Sequence, residues 1–277
     1  MKSFACSDDA STAAVCLFDS TVTLWDLHSG EPRLALQKWG ERDSEKGHSS
    51  AVNEVLLAAD GLVAVTLSKD CTARVWSAES GACLHVLSGH TEPIVRGVLS
   101  NAARLLATYS YDDSVRVWSL ETGRCVSAYT MQAAVSSLAL SHDGQTLAVA
   151  LADDSLWVGR PHDSAPPKCW KVRPGCACPG LKASQDFLSC KAAALLMSHL
   201  TPLLQGHTAE ISGLSFSADG EQLASCALDG TVRLWATGTG RLEALFVSDS
   251  NPVCCHVDST MNTVVAGTSR GVVHFLR

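Results

Sequence analysis

The chain has no apolar run approaching 18 residues, so no membrane-spanning helix is read from it. Its first residues, Met1-Lys2-Ser3-Phe4-Ala5-Cys6, form no continuous apolar stretch of the kind a secretory leader needs, and no Asn-x-Ser/Thr sequon occurs. Charge is scarce at 18%, and the Lys and Arg residues are scattered singly within a net charge of −7. The basic stripe that a phosphate backbone demands is missing, and nucleic acid is not an expected partner. Also absent are Gly-x4-Gly-Lys-Ser/Thr, His-Glu-x2-His and Gly-x-Ser-x-Gly, the signatures of phosphate binding, zinc proteolysis and serine hydrolysis. The 12 Cys in 277 residues fall well short of a disulfide scaffold. Cys16, Cys226 and Cys254 lie in apolar, strand-like runs where a free thiol acts as a small hydrophobe, so an intracellular setting, cytoplasmic or nuclear, is expected.

What the chain does have is an apolar content of 46%, enough for a sizeable interior, and a repeat. Three Gly-His pairs are each followed by a Trp 28 residues after the His: His48 to Trp76, His90 to Trp118 and His207 to Trp235. Between them, a hydroxyl stands 18 residues after the His (Thr66, Thr108, Ser225) and an Asp 22 after it (Asp70, Asp112, Asp229). With the His as marker, decayed markers at Met131, Pro174 and Asp249 complete a series spaced by 42, 41, 43, 33 and 42 residues. An earlier unit keeps Asp19 and Trp25, and the last places Phe275 six after Ser269. Seven units fit, at 1–38, 47–89, 90–130, 131–173, 174–205, 206–248 and 249–277, and one shared interior makes 1–277 a single domain.

Each unit reads as short strands. In the sixth, Ile211–Phe216 ends at Ala218-Asp219-Gly220, Leu223–Ala227 follows, and Asp229-Gly230 introduces Thr231–Trp235. A Gly five residues after the Trp (Gly30, Gly81, Gly123, Gly240) fits a left-handed turn position. Trp157 stands where Arg74, Arg116 and Arg233 stand in their units.

This pattern resembles the WD40-repeat family over essentially the whole chain, although the literal Trp-Asp pair survives only at Trp25-Asp26. The resemblance implies an all-β, seven-bladed (six to seven) WD40 β-propeller with a degenerate fifth blade and incomplete closure. It also implies that His, hydroxyl, Asp and Trp of each intact unit meet in one hydrogen-bonded tetrad. The His–hydroxyl–Asp grouping looks like a hydrolase triad, but three copies recur where an active site needs one, so the twelve residues are expected to be structural.

Partners of such propellers dock on the face bearing the His loops and Asp turns. The resemblance carries two sets of exposed residues onto that face: Phe18, Lys69, Tyr111 and Leu228, each just before the Asp position, and Asn53, Val95, Ser212 and Cys254, five past the marker. Trp39 lies in an insertion, since Trp25 to His48 is 23 residues against 14 from Trp76 to His90; it either anchors a partner or folds back on its own blade. The function implied is a non-enzymatic scaffold for protein or peptide partners. The alternatives are an intramolecular regulatory propeller within a larger signalling protein and, third, a propeller enzyme.

No cofactor or metal is expected. Cys169, Cys176, Cys178 and Cys190 with His199 contain no Cys-x2-Cys knuckle. The short fifth unit, within 161–201, is either a three-stranded blade or a splice-altered segment, and its Lys191–Met197 run favours helix. After Phe275-Leu276-Arg277 nothing is left for an outer strand, so the chain is expected to be a truncated or alternative form of a longer protein, such as its terminal propeller.

Overall fold

The computed structural model describes residues 1–37, 47–100, 102, 104–153, 155–161, 168–171, 207–258 and 263–276. They contain no helix and form six antiparallel sheets in strict meander order. The first sheet holds β1 (Ser3–Cys6), β2 (Thr12–Cys16), β3 (Val22–Asp26) and β4 (Pro32–Gln37). In the second are β5 (Val52–Leu57), β6 (Val63–Ser68), β7 (Thr72–Ser77) and β8 (Cys83–Ser88), and in the third β9 (Ile94–Ser100), β10 (Leu105–Ser110), β11 (Ser114–Ser119) and β12 (Cys125–Thr130). The fourth comprises β13 (Val135–Leu140), β14 (Leu147–Leu151), β15 (Ser155–Gly159) and β16 (Lys168–Lys171). The fifth has β17 (Ile211–Phe216), β18 (Gln222–Ala227), β19 (Thr231–Ala236) and β20 (Arg241–Val247), and the sixth three strands, β21 (Pro252–Asp258), β22 (Thr263–Thr268) and β23 (Val273–Leu276).

The turns between strands follow from residues that tolerate a left-handed backbone. Gly30, Gly81, Gly123 and Gly240 all sit between φ +63 and +74, each donating its N–H to the carbonyl four residues back. The residue after the Asp position is left-handed in four sheets, yet only the fifth uses glycine there: Ser20, Cys71, Asp113 and Gly230 have φ of 69, 68, 56 and 79. At this position the side chain is the odd element, because a Cβ crowds the following carbonyl.

Apolar side chains from two consecutive sheets meet at each of five interfaces. Leu24, Val52 and Trp76 join the first and second sheets; Leu67, Leu106 and Trp118 the second and third; Val117, Leu138 and Trp157 the third and fourth. Leu156, Ile211 and Phe216 join the fourth and fifth sheets, and Cys226, Val257 and Ala266 the fifth and sixth. Among the described residues no such cluster joins the sixth sheet back to the first, and closure of the row into a ring is not seen there. Phe4 on β1 and Phe275 on β23 are correspondingly exposed.

Six sheets lie within the six-to-seven expected. The fourth and fifth pack directly on one another, with no described strand between them. The fifth unit at 174–205, the Lys191–Met197 run, Trp39, Cys176, Cys178, Cys190 and His199 lie outside the described residues, as does the side chain of Cys169.

The first strand of five sheets carries a β-bulge at one register position. Asn53, Val95, Ser136, Ser212 and Val253 are each skipped by the neighbouring strand. In the last sheet the bulged residue is Val253 and not Cys254. The marker there belongs at Ser248, whose N–H donates to Gly230 O as Met131 N–H donates to Asp113 O.

Candidate functional site

At one end of the second, third and fifth sheets the three tetrads come together. His48, His90 and His207 place Nδ1 at 2.9, 3.0 and 3.0 Å from Oδ2 of Asp70, Asp112 and Asp229. Their Nε2 atoms lie 2.7, 2.8 and 2.7 Å from the hydroxyls of Thr66, Thr108 and Ser225. Those hydroxyl oxygens accept the indole N–H of Trp76, Trp118 and Trp235 at 2.9, 2.8 and 2.8 Å. One tautomer satisfies every atom: the ring carries its proton on Nδ1 and donates it to the carboxylate, while Nε2 accepts from the hydroxyl.

Two members of this network were not read from the sequence. The hydroxyls of Thr72, Ser114 and Thr231, two residues after the Asp, donate to its Oδ1 at 2.7, 2.6 and 2.7 Å and stand 3.3, 3.1 and 3.1 Å from the imidazole Nδ1. The backbone N–H after each His (Ser49, Thr91, Thr208) donates to Oδ2 at 3.0 Å. A hydroxyl two residues after each of the three Asp was the available signal; Ser and Thr are too common in strands for it to stand out.

Electrostatics follow the bonding. Burial pushes the carboxyls of Asp70, Asp112 and Asp229 up, but the hydrogen bonds they accept outweigh it and hold all three below the usual carboxylate range, Asp70 and Asp112 well below it. Burial pushes His90 and His207 down, against the pull of their Asp partners, so these rings are neutral. Thr66, Thr108 and Ser225 are 0% exposed, and each oxygen is already held by an indole. A nucleophile that no substrate can reach does no acyl transfer, and these groups offer no hydrolytic chemistry.

The two sets of candidate contact residues separate. Phe18, Tyr111 and Leu228 are 78%, 66% and 45% exposed on the Asp turns, and Lys69 is exposed beside them. In the second set, exposure was expected and only Cys254 has it. Asn53 sends its amide N–H to Ile94 O at 2.7 Å and Ser212 its hydroxyl to Pro252 O at 2.7 Å, while Val95 leans on the third-to-fourth interface. The bulge explains this: it turns the skipped side chain toward the next sheet, where the carbonyl just before that sheet's own bulge accepts it. Lys2 reaches the equivalent carbonyl, Val52 O, at 2.5 Å. These side chains tie one blade to the next.

No helix among the described residues is long and apolar enough to cross a membrane. Among the same residues no group of three or more His, Cys, Asp or Glu is placed to hold a metal ion.

The family model "WD domain, G-beta repeat" matches residues 41–77, 81–119 and 198–236. The chain is 34% identical over 76 residues to the "DENN domain and WD repeat-containing protein SCD1" of Arabidopsis thaliana, covering 27% of this chain and 6% of that protein. It is 33% identical over 66 residues to "Eukaryotic translation initiation factor 3 subunit I" of Drosophila melanogaster, covering 24% of this chain and 18% of that one. The chain thus spans less than a fifth of the length of either relative. The matched stretches end at Ser77, Ser119 and Ala236, each one residue past a tetrad Trp, so the family model and the hydrogen-bond networks pick out the same three units. The chain carries three repeats of the WD40 type, at 41–77, 81–119 and 198–236.

Proposed function

We propose that this chain is a non-enzymatic scaffold that captures a protein or peptide partner on the end of the sheets bearing the His loops and Asp turns. WD40 domains generally mediate protein–protein interaction and are generally not enzymes. The observation that carries the reading is the exposure of Phe18, Tyr111 and Leu228 at one register position in three sheets. Exposed aromatic and aliphatic side chains anchored beside rigid turns are what a binding surface uses, since they gain contact area at little entropic cost. Lys69 at the same position in the second sheet adds one cation, which suits a peptide surface rather than a phosphate array. In this reading the tetrads hold the turns still and make no contact with the partner, and 1–277 acts as one domain. The partner is a separate protein; a neighbouring domain of a larger signalling polypeptide is the second reading.

Affinity purification from cells with the wild-type chain, then with Tyr111→Ala and Phe18→Ala, tests it. Both variants should keep the wild-type melting temperature and lose at least about tenfold in partner recovery, the weight of roughly 1.4 kcal/mol or more at a binding anchor. Undiminished recovery by both variants would discard this face.

A further inference from the structure

In the third, fourth and fifth sheets the residue before the Asp position is held by one and the same backbone bond. Its N–H donates to the carbonyl three residues past the marker: Tyr111 to Pro93 O at 3.1 Å, Ala152 to Ala134 O at 2.8 Å and Leu228 to Glu210 O at 2.9 Å. With the three turns tied alike to their loops, the side chains set the relief. Tyr111 and Leu228 stand exposed on the outer two of these sheets, and between them the fourth presents the exposed methyls of Ala134 and Ala152. The surface is a saddle with an alanine floor and large apolar flanks.

The fourth sheet also lacks the tetrad that draws its neighbours' carboxylates inward. Met131, Val149 and Gly159 stand where His90, Thr108 and Trp118 stand in the third. Met131 is buried and has no ring N–H to offer, and Asp153 is exposed beside Ala152, whereas Asp112 and Asp229 are half-buried against their imidazoles. Glu92 and Asp113 are exposed on the third sheet, and Glu210 is half-buried on the fifth. The loops and turns at this end of the three sheets (89–93, 111–113, 131–134, 152–153, 207–210 and 228–230) therefore carry those six carboxylates and no Lys or Arg.

We propose that this saddle takes a cationic linear segment of the partner protein, an Arg or Lys against the Tyr111 ring and the surrounding carboxylates and an apolar side chain over Ala152 against Leu228, a proposal that rests on the partner-binding role inferred above for this face.

Charge and shape select that occupant together. A row of acids with no base among them attracts a cation and repels an acidic or phosphorylated segment. The face of an exposed tyrosine ring adds attraction for ammonium or guanidinium, and the alanine floor leaves room for a side chain that buries apolar surface. A bare metal ion is the poorer match, because the carboxylates are spread over three sheets and among the described residues no group of three is placed to hold one.

A random peptide library displayed on phage is selected on the full-length chain, and the enriched peptides are synthesised and titrated. They should carry Arg or Lys close to Leu, Ile or Phe and bind less tightly as salt rises. Leu228→Ala should weaken them at least about tenfold, and Glu92→Gln combined with Asp153→Asn about fivefold or more. Glu221→Gln, on an exposed turn at the opposite end of the fifth sheet, removes the same charge far from the saddle and should change affinity by less than about twofold. The altered side chains are all exposed or half-buried, and an unchanged melting temperature verifies that each variant is folded. Failure of any peptide to enrich, enrichment of acidic or uncharged peptides, or equal weakening by Glu221→Gln would overturn the proposal. If partner recovery from cells depends on Tyr111 and Phe18 while the titrations are indifferent to Glu92 and Asp153, the face stands and its cationic ligand falls.

Discussion

Taking away the Asp112 carboxylate would strand the imidazole N–H of His90 and the backbone N–H groups of Thr91 and Ser114. Asp112→Ala should therefore cost roughly 2–3 kcal/mol, more than a surface change and less than the loss of a fully buried charge pair. Trp157 offers the opposite case. Among the described residues its indole N–H is buried without a partner, so Trp157→Phe removes an unpaired donor while keeping an aromatic ring. Thermal melts should show Asp112→Ala falling well below wild type and Trp157→Phe level with it or above. Equal losses in both would mean that the polar network does not govern stability. Acid should act on the same atoms. His90 and His207 are held down by burial, so below the ordinary value of about 6.5 the unfolded chain takes up protons that the folded chain refuses. Stability should be full above that value and fall at up to roughly 1.4 kcal/mol per pH unit for each such ring. A second loss should set in below about pH 4, where the unfolded counterparts of Asp70, Asp112 and Asp229 protonate first. A melting temperature unchanged between pH 7.5 and 5.5 would contradict the neutral rings. The four-residue network was legible in the sequence because imidazole and indole are rare enough that three copies in register cannot be background. Its second hydroxyl and the Asp-binding backbone N–H were not, since one is a common residue type and the other has no residue type.

At the scale of the element, the turn after β6 carries Cys71 at φ 68, a conformation the fifth sheet gives to Gly230. Its thiol makes only a 3.9 Å approach to Lys69 O, so little is lost with it. Cys71→Gly should raise stability by about 1 kcal/mol, the relief of a crowded Cβ less the entropy that glycine adds to the unfolded chain. A lower melting point would mean that the side chain contributes more than its backbone costs. Three of the four left-handed residues after the Asp position were invisible to sequence reasoning because only Gly230 advertises the turn. The bulges were hidden for a related reason. Asn53 and Ser212 read as exposed polar residues on alternating strands, and only a skipped register turns them onto the neighbouring sheet. Cys254 counts five past the marker only with Asp249 as that marker, while Ser248 occupies the place in the ladder. Side-chain identity fixes a pattern to within a residue; backbone hydrogen bonds fix the residue.

Across the whole molecule, the repeat announced blades from the first Gly-His pair, and their order along the chain followed from it. The apposition of the fourth and fifth sheets did not, since spacing along a chain says how much sequence lies between two blades but not whether they touch. Among the described residues the second to fifth sheets each have apolar clusters on both faces, and the first and sixth on one. Neighbour-only contact of this kind makes opening free energies depend on position in the row. Amides of β6, β10, β14 and β18 should exchange with deuterium only through global unfolding. Those of β2 and β22 should exchange through cheaper partial openings, at least tenfold faster; uniform protection along the row would refute this. Fraying should thus begin at the two outermost blades and travel inward from each, leaving the middle of the row as the last part to open.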